Sequence, residues 1–160
     1  GMNELKDIAE TKKEFTIQNR LLIEPNFQTA TGKAAFFARK NAAAQTDNQY
    51  PFVLASIRSE GQFNSIIYEE KDTYRGTDTR WSILMNHDDI TALNLSPGKT
   101  VDITSAHGKM QGVKIFAFDL PRGNVMVYYP EANVLIGTAH DPRSKTPAFK
   151  SVAVALAPSN

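Results

Sequence analysis

From residue 51 onward the sequence repeats one pattern, in which a short apolar segment is followed by a turn rich in glycine, proline, asparagine or serine. The apolar segments have the length and β-branched character of strands, and several alternate apolar with polar residues. Turn signals recur about every ten residues, which favours a closed β-barrel with short helical insertions over a βαβ sheet. The predicted strands are 51–58, 66–68, 81–85, 100–105, 110–118, 125–128 and 151–156.

One short helix is predicted after the strand that ends at Met85. Asn86 can cap this helix, because its side chain can accept a hydrogen bond from a free backbone N–H of the first turn. Asp88 and Asp89 fall in that turn, where carboxylates favour the positive end of the helix dipole. The helix is expected to end near Asn94. Stabilisation of the helix start explains the adjacent carboxylates Asp88 and Asp89 better than a role in acid–base catalysis.

Two connections between strands carry clear signals. His107 and Gly108 suit a tight turn that joins 100–105 to 110–118 as a hairpin. The stretch 69–80 holds many charged residues together with Gly76, and it is predicted as a surface loop.

The chain is expected to hold one domain with an N-terminal extension, since its 160 residues are close to the usual size of a single domain. Residues 1–31 are predicted as an N-terminal arm and residues 32–50 as a connecting segment. Residues 51–157 are predicted to form the barrel domain.

The extension itself leaves alternatives open. The stretch from Phe15 to Ile23 allows either a helix or a strand. Lys33–Arg39, built around Phe36 and Phe37, suits a strand or an arm that packs on a sheet edge. Residues 41–50 show little periodicity and many amides, so they are predicted as a linker.

Composition narrows the function classes. A formal net charge of +1 gives no strong field for polyanions, so nucleic acid is not an expected partner. The longest apolar runs are far shorter than the roughly 20 residues that span a bilayer, and the first residues show no secretory signal, so we expect a cytoplasmic protein without a membrane partner. The absence of cysteine excludes disulfides, zinc–thiolate sites and thiol catalysis by this chain.

The stretch Tyr128–Lys150 is the strongest candidate for a functional segment. It contains a long polar loop between two apolar segments, and loops of this length are often functional. A solvated connection is an equally good interpretation of its charges. The loop carries three cations, which are Arg143, Lys145 and Lys150.

Three segments follow one another in the chain: PFVLASIRSEGQFNSIIYEEKDTYRG, SILMNHDDITALNLSPGKTVDITSAHGKMQGVKIFAF and YYPEANVLIGTAHDPRSKTPAFKSVAVAL. In this order and spacing they resemble the C-terminal domain of molybdopterin oxidoreductases of the formate dehydrogenase alpha-subunit type. The resemblance covers about Gly32 to Leu156, and the stretch FQTATGKAAFF resembles the segment that joins this domain to the preceding one.

The resemblance implies a mainly β fold, a six-stranded double-psi β-barrel with short helices. In the family this domain caps the active site and binds a molybdopterin guanine dinucleotide, while the metal-ligating residue and any iron–sulfur cluster belong to earlier domains. Family enzymes are several times longer than this chain. We therefore expect a cofactor-binding domain that is not catalytic alone and that works with the remaining domains of a molybdenum or tungsten oxidoreductase on another chain.

Candidate contacts to the cofactor follow Gly61. Gln62, Phe63, Asn64 and Ser65 occupy the family position where a short turn meets the cofactor, and the polar side chains among them suit ring edges and phosphates. Capping of the turn by Asn64 and Ser65 is the alternative.

A second group of candidates lies in the last third of the chain. Asn133 occupies a family position that contacts the pterin, with capping of a following helix as the alternative. Lys150, whose stem is held by Phe149, and Arg143 can neutralise phosphate, with solvated charge as the alternative. Arg58 can contact the cofactor or serve as an ion-pair partner.

Two other classes of function remain open at this level. The barrel can be a cofactor-free interaction or structural protein that docks to a partner or forms a homo-oligomer, or it can be a small independent enzyme. The three histidines match no local metal-ligand spacing.

Overall fold

The computed structural model describes residues 3–15, 25, 27–38, 40, 46–63 and 68–159. The chain divides into two compact units, Gly1–Ala42 and Ala43–Asn160, which are described separately. Among the described residues, no helix combines the length and the apolar content needed to cross a membrane.

The larger unit is a closed barrel of six strands, and it confirms the predicted mainly β fold. In the barrel the strands follow the order β1, β5, β2, β4, β3, β6, and β6 pairs with β1 to close it. The strands are β1 Phe52–Ile57, β2 Ser82–Met85, β3 Thr100–Ser105, β4 Lys109–Ala117, β5 Asn124–Tyr128 and β6 Val152–Pro158.

Two parallel strand pairs interlock in this barrel and give it the double-psi arrangement. β1 runs parallel to β5, with Ile57 opposite Tyr128, and β2 runs parallel to β4, with Met85 opposite Ala117. β5 lies between β1 and β2 and is antiparallel to β2. Because parallel neighbours end at the same edge, the residues that follow β1 and β5 lie next to each other.

The inward side chains of the strands form one apolar core. Alternation along β3 buries Val101 and Ile103 and leaves Thr100 exposed, as expected of a strand with one face on the core. Side chains that are 0 to 1% exposed fill the interior, and they include Leu54, Ile83, Met85, Val113, Ile115, Val125, Val127 and Val154.

The predicted helix and hairpin are both present. The helix spans His87–Ala92, and the Oδ1 of its N-cap residue Asn86 accepts a hydrogen bond from the backbone N–H of Asp88 at 2.7 Å. β3 and β4 pair antiparallel. Asp89, however, is buried, and its carboxylate accepts hydrogen bonds from Arg122 Nε at 3.1 Å and the Gly123 N–H at 2.6 Å. It therefore holds the turn before β5 as well as the helix start.

The N-terminal unit contains a 3-10 helix, Asn3–Leu5, and a short α-helix, Ile8–Thr11. Of the two alternatives for Lys33–Arg39, the strand is wrong for the described residues 33–38, which have no regular structure, and the edge-packing arm stays a prediction. The two phenylalanines are 94% and 83% exposed, so no cross-strand partner stabilises them within the described residues.

Some predicted elements lie wholly or largely outside the described residues. Of the stretch from Phe15 to Ile23 only Phe15 is described, and of the linker 41–50 only residues 46–50. Of the predicted strand 66–68 only Tyr68 is described.

Candidate functional site

A groove lies where β1 and β5 end, and we call it the first groove. It has a volume of about 430 Å³ and is lined by Ser56, Ile57, Arg58, Tyr129, Phe149 and Lys150. Its floor is set by the parallel pairing, since the Tyr129 N–H donates to the Ile57 carbonyl at 2.7 Å. Two aromatic side chains and two cations from three separate chain segments therefore meet here.

A second groove shares Arg58 with the first. Its volume is about 420 Å³, and it is lined by Arg58, Ser59, Glu60, Gly61, Gln62, Phe63, Tyr74 and Arg75. Phe63 and Tyr74 are 77% and 78% exposed, so this groove presents aromatic surface beside the guanidinium groups. Both volumes fall in the range of about 300 to 1,000 Å³ that is typical of small-molecule sites.

The end of the long polar loop is bound to β1. The Phe149 carbonyl accepts a hydrogen bond from the Ser56 N–H at 2.9 Å, and the Lys150 ammonium donates to the Ser56 carbonyl. An ammonium has three donors, so this contact leaves Lys150 able to bind an anion in the first groove. The structure thus places Phe149, Lys150 and Arg58 together, as a shared site requires.

Arg143 and Asn133 lie elsewhere. Among the described residues that line the two grooves, neither appears. Arg143 is exposed, and its backbone N–H donates to Asp141 Oδ1 at 2.9 Å. Asn133 is exposed inside the 3-10 helix Glu131–Leu135, so the alternative that it caps a following helix is wrong. Contact of either residue with a cofactor stays a prediction.

The predicted turn after Gly61 is only partly described, because Asn64 and Ser65 lie outside the described residues. Gln62 is 4% exposed, and its amide is occupied within the protein. Its Oε1 accepts from the Ser59 N–H at 3.1 Å, and its Nε2 donates to the Tyr129 carbonyl at 3.1 Å. Gln62 therefore ties the turn to the chain after β5, and its contact with a cofactor stays a prediction.

Arg58 is exposed at the point where the two grooves meet. Its Nη1 donates to the Phe63 carbonyl at 3.1 Å. The ion-pair alternative finds no support among the described contacts, since this guanidinium bonds a carbonyl instead of a carboxylate. Among the described contacts this is the one acceptor, which leaves most of the guanidinium donors for a ligand.

The loop 69–80 buries three of its polar side chains, so the prediction that it is a surface loop is wrong for these three. Arg80 is 4% exposed, and its guanidinium donates to Glu131 Oε1 at 2.7 Å, to Ser59 Oγ at 2.6 Å and to the Tyr129 carbonyl. The loop is thus bonded to both segments that border the first groove.

The other two buried side chains of this loop bind Tyr128. The Tyr128 hydroxyl lies 2.9 Å from Asp72 Oδ2 and 2.8 Å from Thr77 Oγ1. Arg75 Nη1 donates to Asp72 Oδ2 at 2.6 Å and to the Arg58 carbonyl at 3.2 Å. The chain of contacts therefore links the buried phenol to the end of β1.

Burial and charge explain the titration of this pair. Burial alone would raise the pKa of Asp72, but hydrogen bonds from Arg75 and Tyr128 outweigh it and hold that pKa below its usual value. Burial of Tyr128, together with the Asp72 carboxylate beside its hydroxyl, raises the pKa of the phenol to about 12. At neutral pH the pair is a carboxylate and a neutral phenol.

No local signal in the sequence marks these side chains as buried. Their partners are distant in the chain, since Arg80 bonds Glu131 and Asp72 bonds Tyr128. Within the described residues, no group of three or more histidine, aspartate or glutamate side chains is arranged to hold a metal ion. The cations and aromatic side chains that line the two grooves suit an anionic, partly aromatic ligand.

Comparison with known proteins agrees with this chemistry. Residues 52–153 match the family described as "Molydopterin dinucleotide binding domain". An uncharacterized oxidoreductase of Mycobacterium tuberculosis is 34% identical over 143 residues, which cover 82% of this chain and 18% of the relative. The protein YdeP of Escherichia coli is 28% identical over 148 residues, which cover 86% of this chain and 20% of that protein. The chain thus spans about a fifth of the length of these curated relatives.

Among solved structures, the acetylene hydratase from Pelobacter acetylenicus shares the fold. The match has a TM-score of 0.51 at 14% sequence identity, and it covers 67% of this chain and 18% of the hydratase. At this identity the likeness concerns the fold alone.

Proposed function

This chain belongs to the molydopterin dinucleotide binding domain family, and from that premise we propose that it binds a molybdopterin guanine dinucleotide in the two grooves that meet at Arg58. It does so as one part of a larger molybdenum or tungsten oxidoreductase of the formate dehydrogenase type. The guanine form, the metal and the enzyme type come from the sequence resemblance.

The observation that carries the proposal is the meeting of Arg58 and Lys150 at one groove. Each cation has donors left after its contact with a backbone carbonyl. A pterin dinucleotide carries two phosphates, and charge-assisted hydrogen bonds to phosphate are roughly twice as strong as neutral ones. Arg75 contributes less, since Asp72 already neutralises it.

Aromatic surface completes the fit of the site to such a ligand. Tyr129 and Phe149 line the first groove, and Phe63 and Tyr74 line the second. Fused heterocycles stack on rings of this kind, and a base stacked on an aromatic side chain gains about 1 to 3 kcal/mol. The residues present therefore suit both the charged and the planar portions of the cofactor.

The division of labour follows from what this chain contains. The bound cofactor supplies the redox chemistry of its metal, and this chain supplies phosphate contacts, stacking surface and exclusion of water. We propose that residues 51–157 do this work, with 1–31 as an arm and 32–50 as the connection to the remaining domains. The residues that bind the metal belong to those remaining domains. The relatives are about five times as long as the matched region, which leaves room for such domains.

Titration of the purified chain with released molybdopterin guanine dinucleotide tests the proposal, with pterin fluorescence or calorimetry as the readout. We expect Arg58→Gln and Lys150→Gln each to raise Kd by about tenfold, because each removes a charge-assisted hydrogen bond. The loss of affinity in each variant should become smaller as the salt concentration is raised, since salt screens the contacts between these cations and phosphate.

Arg122→Gln is the matched control, because Arg122 is an equally charged residue that pairs with Asp89 and does not line either groove. This variant should bind like the unaltered chain. Absence of binding at high micromolar cofactor would overturn the proposal and favour a cofactor-free barrel that docks to a partner or to itself. Light scattering would then report the self-association that this alternative requires.

A further inference from the structure

Arg80 is the most heavily bonded side chain near the grooves, yet it lines neither of them among the described residues. All three guanidinium nitrogens donate hydrogen bonds. The acceptors are Glu131 Oε1 at 2.7 Å and Oε2 at 3.0 Å, Ser59 Oγ at 2.6 Å, Gln62 Oε1 at 3.4 Å and the Tyr129 carbonyl.

The surroundings of the guanidinium exclude a direct role in ligand binding. Arg80 is 4% exposed, and its Cζ lies 4.8 Å from the ring centroid of Tyr68 and 5.4 Å from that of Tyr128. Each of its nitrogens donates to the protein, and burial keeps the guanidinium away from a ligand in either groove. A buried arginine of this kind acts through the groups to which it is bonded.

Those groups belong to the segments that form the grooves. Ser59 and Gln62 lie in the turn that follows Arg58, while Tyr129 lines the first groove together with Lys150. The Tyr129 carbonyl accepts from both Arg80 and Gln62, and Glu131 follows it in the 3-10 helix. One guanidinium therefore connects the turn after β1 to the segment after β5.

We propose that Arg80 is a positioning residue for the cofactor site, which holds the turn after β1 against the segment after β5 so that Arg58 and Tyr129 face one ligand in the first groove. The inference rests on the proposed function. It assigns to the site a residue whose own atoms do not touch the ligand.

The planar fork of arginine is essential to this role. Its nitrogens diverge in a fixed plane and can reach acceptors on separate segments at once, whereas the ammonium of lysine is a single compact point charge. Arg80→Lys keeps the net charge of the chain but cannot maintain every bond. The substitution therefore tests the arrangement of the Arg80 hydrogen bonds without changing the positive charge at this position.

Titration of the Arg80→Lys chain with released molybdopterin guanine dinucleotide is the test. We expect Kd to rise by about tenfold, the size of a lost charge-assisted contact. Arg122→Lys is the matched control, since it also replaces an arginine paired with a carboxylate and leaves the grooves untouched. The control should stay within about twofold of the unaltered chain.

A double-mutant cycle distinguishes positioning from a general loss of stability. If Arg80 acts through the groove, the tenfold effect of Arg58→Gln should fall below about threefold in the Arg80→Lys background, because the misplaced cation no longer contributes fully. Amide hydrogen exchange gives a second readout without ligand. The Tyr129 N–H, bonded to Ile57, should exchange faster in Arg80→Lys than in the control.

Each outcome bears on a specific claim. Unchanged affinity in Arg80→Lys, or an Arg58→Gln penalty that stays tenfold, would overturn the positioning role while the proposed function stands. Absence of binding by the unaltered chain would overturn both. If Arg80→Lys fails to fold, Glu131→Gln takes its place, since it removes the partner's charge and keeps an acceptor for the guanidinium; affinity equal to that of the unaltered chain would again overturn the inference.

Discussion

The loops 69–80 and 137–150 are both rich in charged and hydroxyl residues, but they are attached to the barrel in opposite ways. The first loop buries Asp72, Thr77 and Arg80, and all three bond residues more than 45 positions away. In the second loop Asp141 accepts hydrogen bonds from the N–H groups of Arg143 and Ser144 at 2.9 and 2.7 Å. Long-range hydrogen bonds therefore hold the first loop. Hydrogen bonds between residues close in the chain hold the second loop, up to the point where its end contacts β1.

This difference shows that charge content does not decide whether a loop lies on the surface. A buried polar group is tolerated when every hydrogen-bonding atom has a partner, and the barrel offers such partners at the end of β5. Among the described residues, no buried side-chain nitrogen or oxygen lacks a partner. We therefore expect the first loop to contribute to stability and the second mainly to the site.

The largest expected contrast comes from removing one carboxylate charge in each loop. Asp72→Asn should lower the free energy of unfolding by about 3 kcal/mol, because it breaks a buried pair and leaves Arg75 without its charged partner. Asp141→Asn is the control, since an amide oxygen can still accept the two backbone hydrogen bonds of its turn. Urea unfolding measures both.

An equal loss of stability in these two variants would break the contrast between the loops. The lowered pKa of Asp72 also predicts how stability depends on pH in acid. The stabilisation of the folded state by the Asp72 carboxylate is fully present above the pKa of the unfolded carboxyl, about 3.9. It disappears as the pH falls through the pKa of Asp72 in the folded chain. Asp72→Asn should therefore flatten the acid limb of the stability curve.

The next largest expected effect is a loss of folding stability at alkaline pH, which depends on the ionisation of Tyr128. Its pKa rises from 10.0 to about 12 on folding, so its contribution is intact below the unfolded pKa and is lost as pH rises through the folded one. Between about pH 9 and about pH 11.5, we expect the stability advantage over Tyr128→Phe to fall by about 2 kcal/mol.

The control for this titration is Tyr74→Phe, since Tyr74 is 78% exposed. The unaltered chain and Tyr74→Phe should lose stability in parallel between the two pH values. A pH-independent difference between the unaltered chain and Tyr128→Phe would show that the buried phenol does not differ from an exposed one.

The smallest effect concerns backbone conformation. Gly76 in the first loop and Lys145 in the second both have positive φ, at 73° and 56°. Gly76→Ala should destabilise the chain by about 1 kcal/mol, because a side chain is strained in this region. Lys145→Gly relieves the corresponding strain and should be neutral or stabilising by less than about 1 kcal/mol. Effects of the same sign in urea unfolding would contradict this interpretation.

The sequence by itself determined the six barrel strands, the helix cap after β2 and the hairpin between β3 and β4. These features depend on residues that are close in the chain, such as the alternation of Val101 and Ile103 with polar neighbours and the position of Asn86 two residues before the N–H that it binds. The charge and chain position of Arg58 and Lys150, together with Phe149, placed these three among the site candidates, and the structure brings them to one groove.

Only the tertiary structure decided which polar side chains are buried and which remain available. Gln62 turns out to be bonded to Tyr129, and Arg80 to be bonded to Glu131, because β1 and β5 are parallel neighbours in the closed barrel. The partner of a polar side chain is set by which strands lie side by side, and that information is absent from the residues around it. Local patterns therefore predicted the strands of the barrel, while the pairing of β1 with β5 brought together the buried network of Gln62, Arg80 and Glu131.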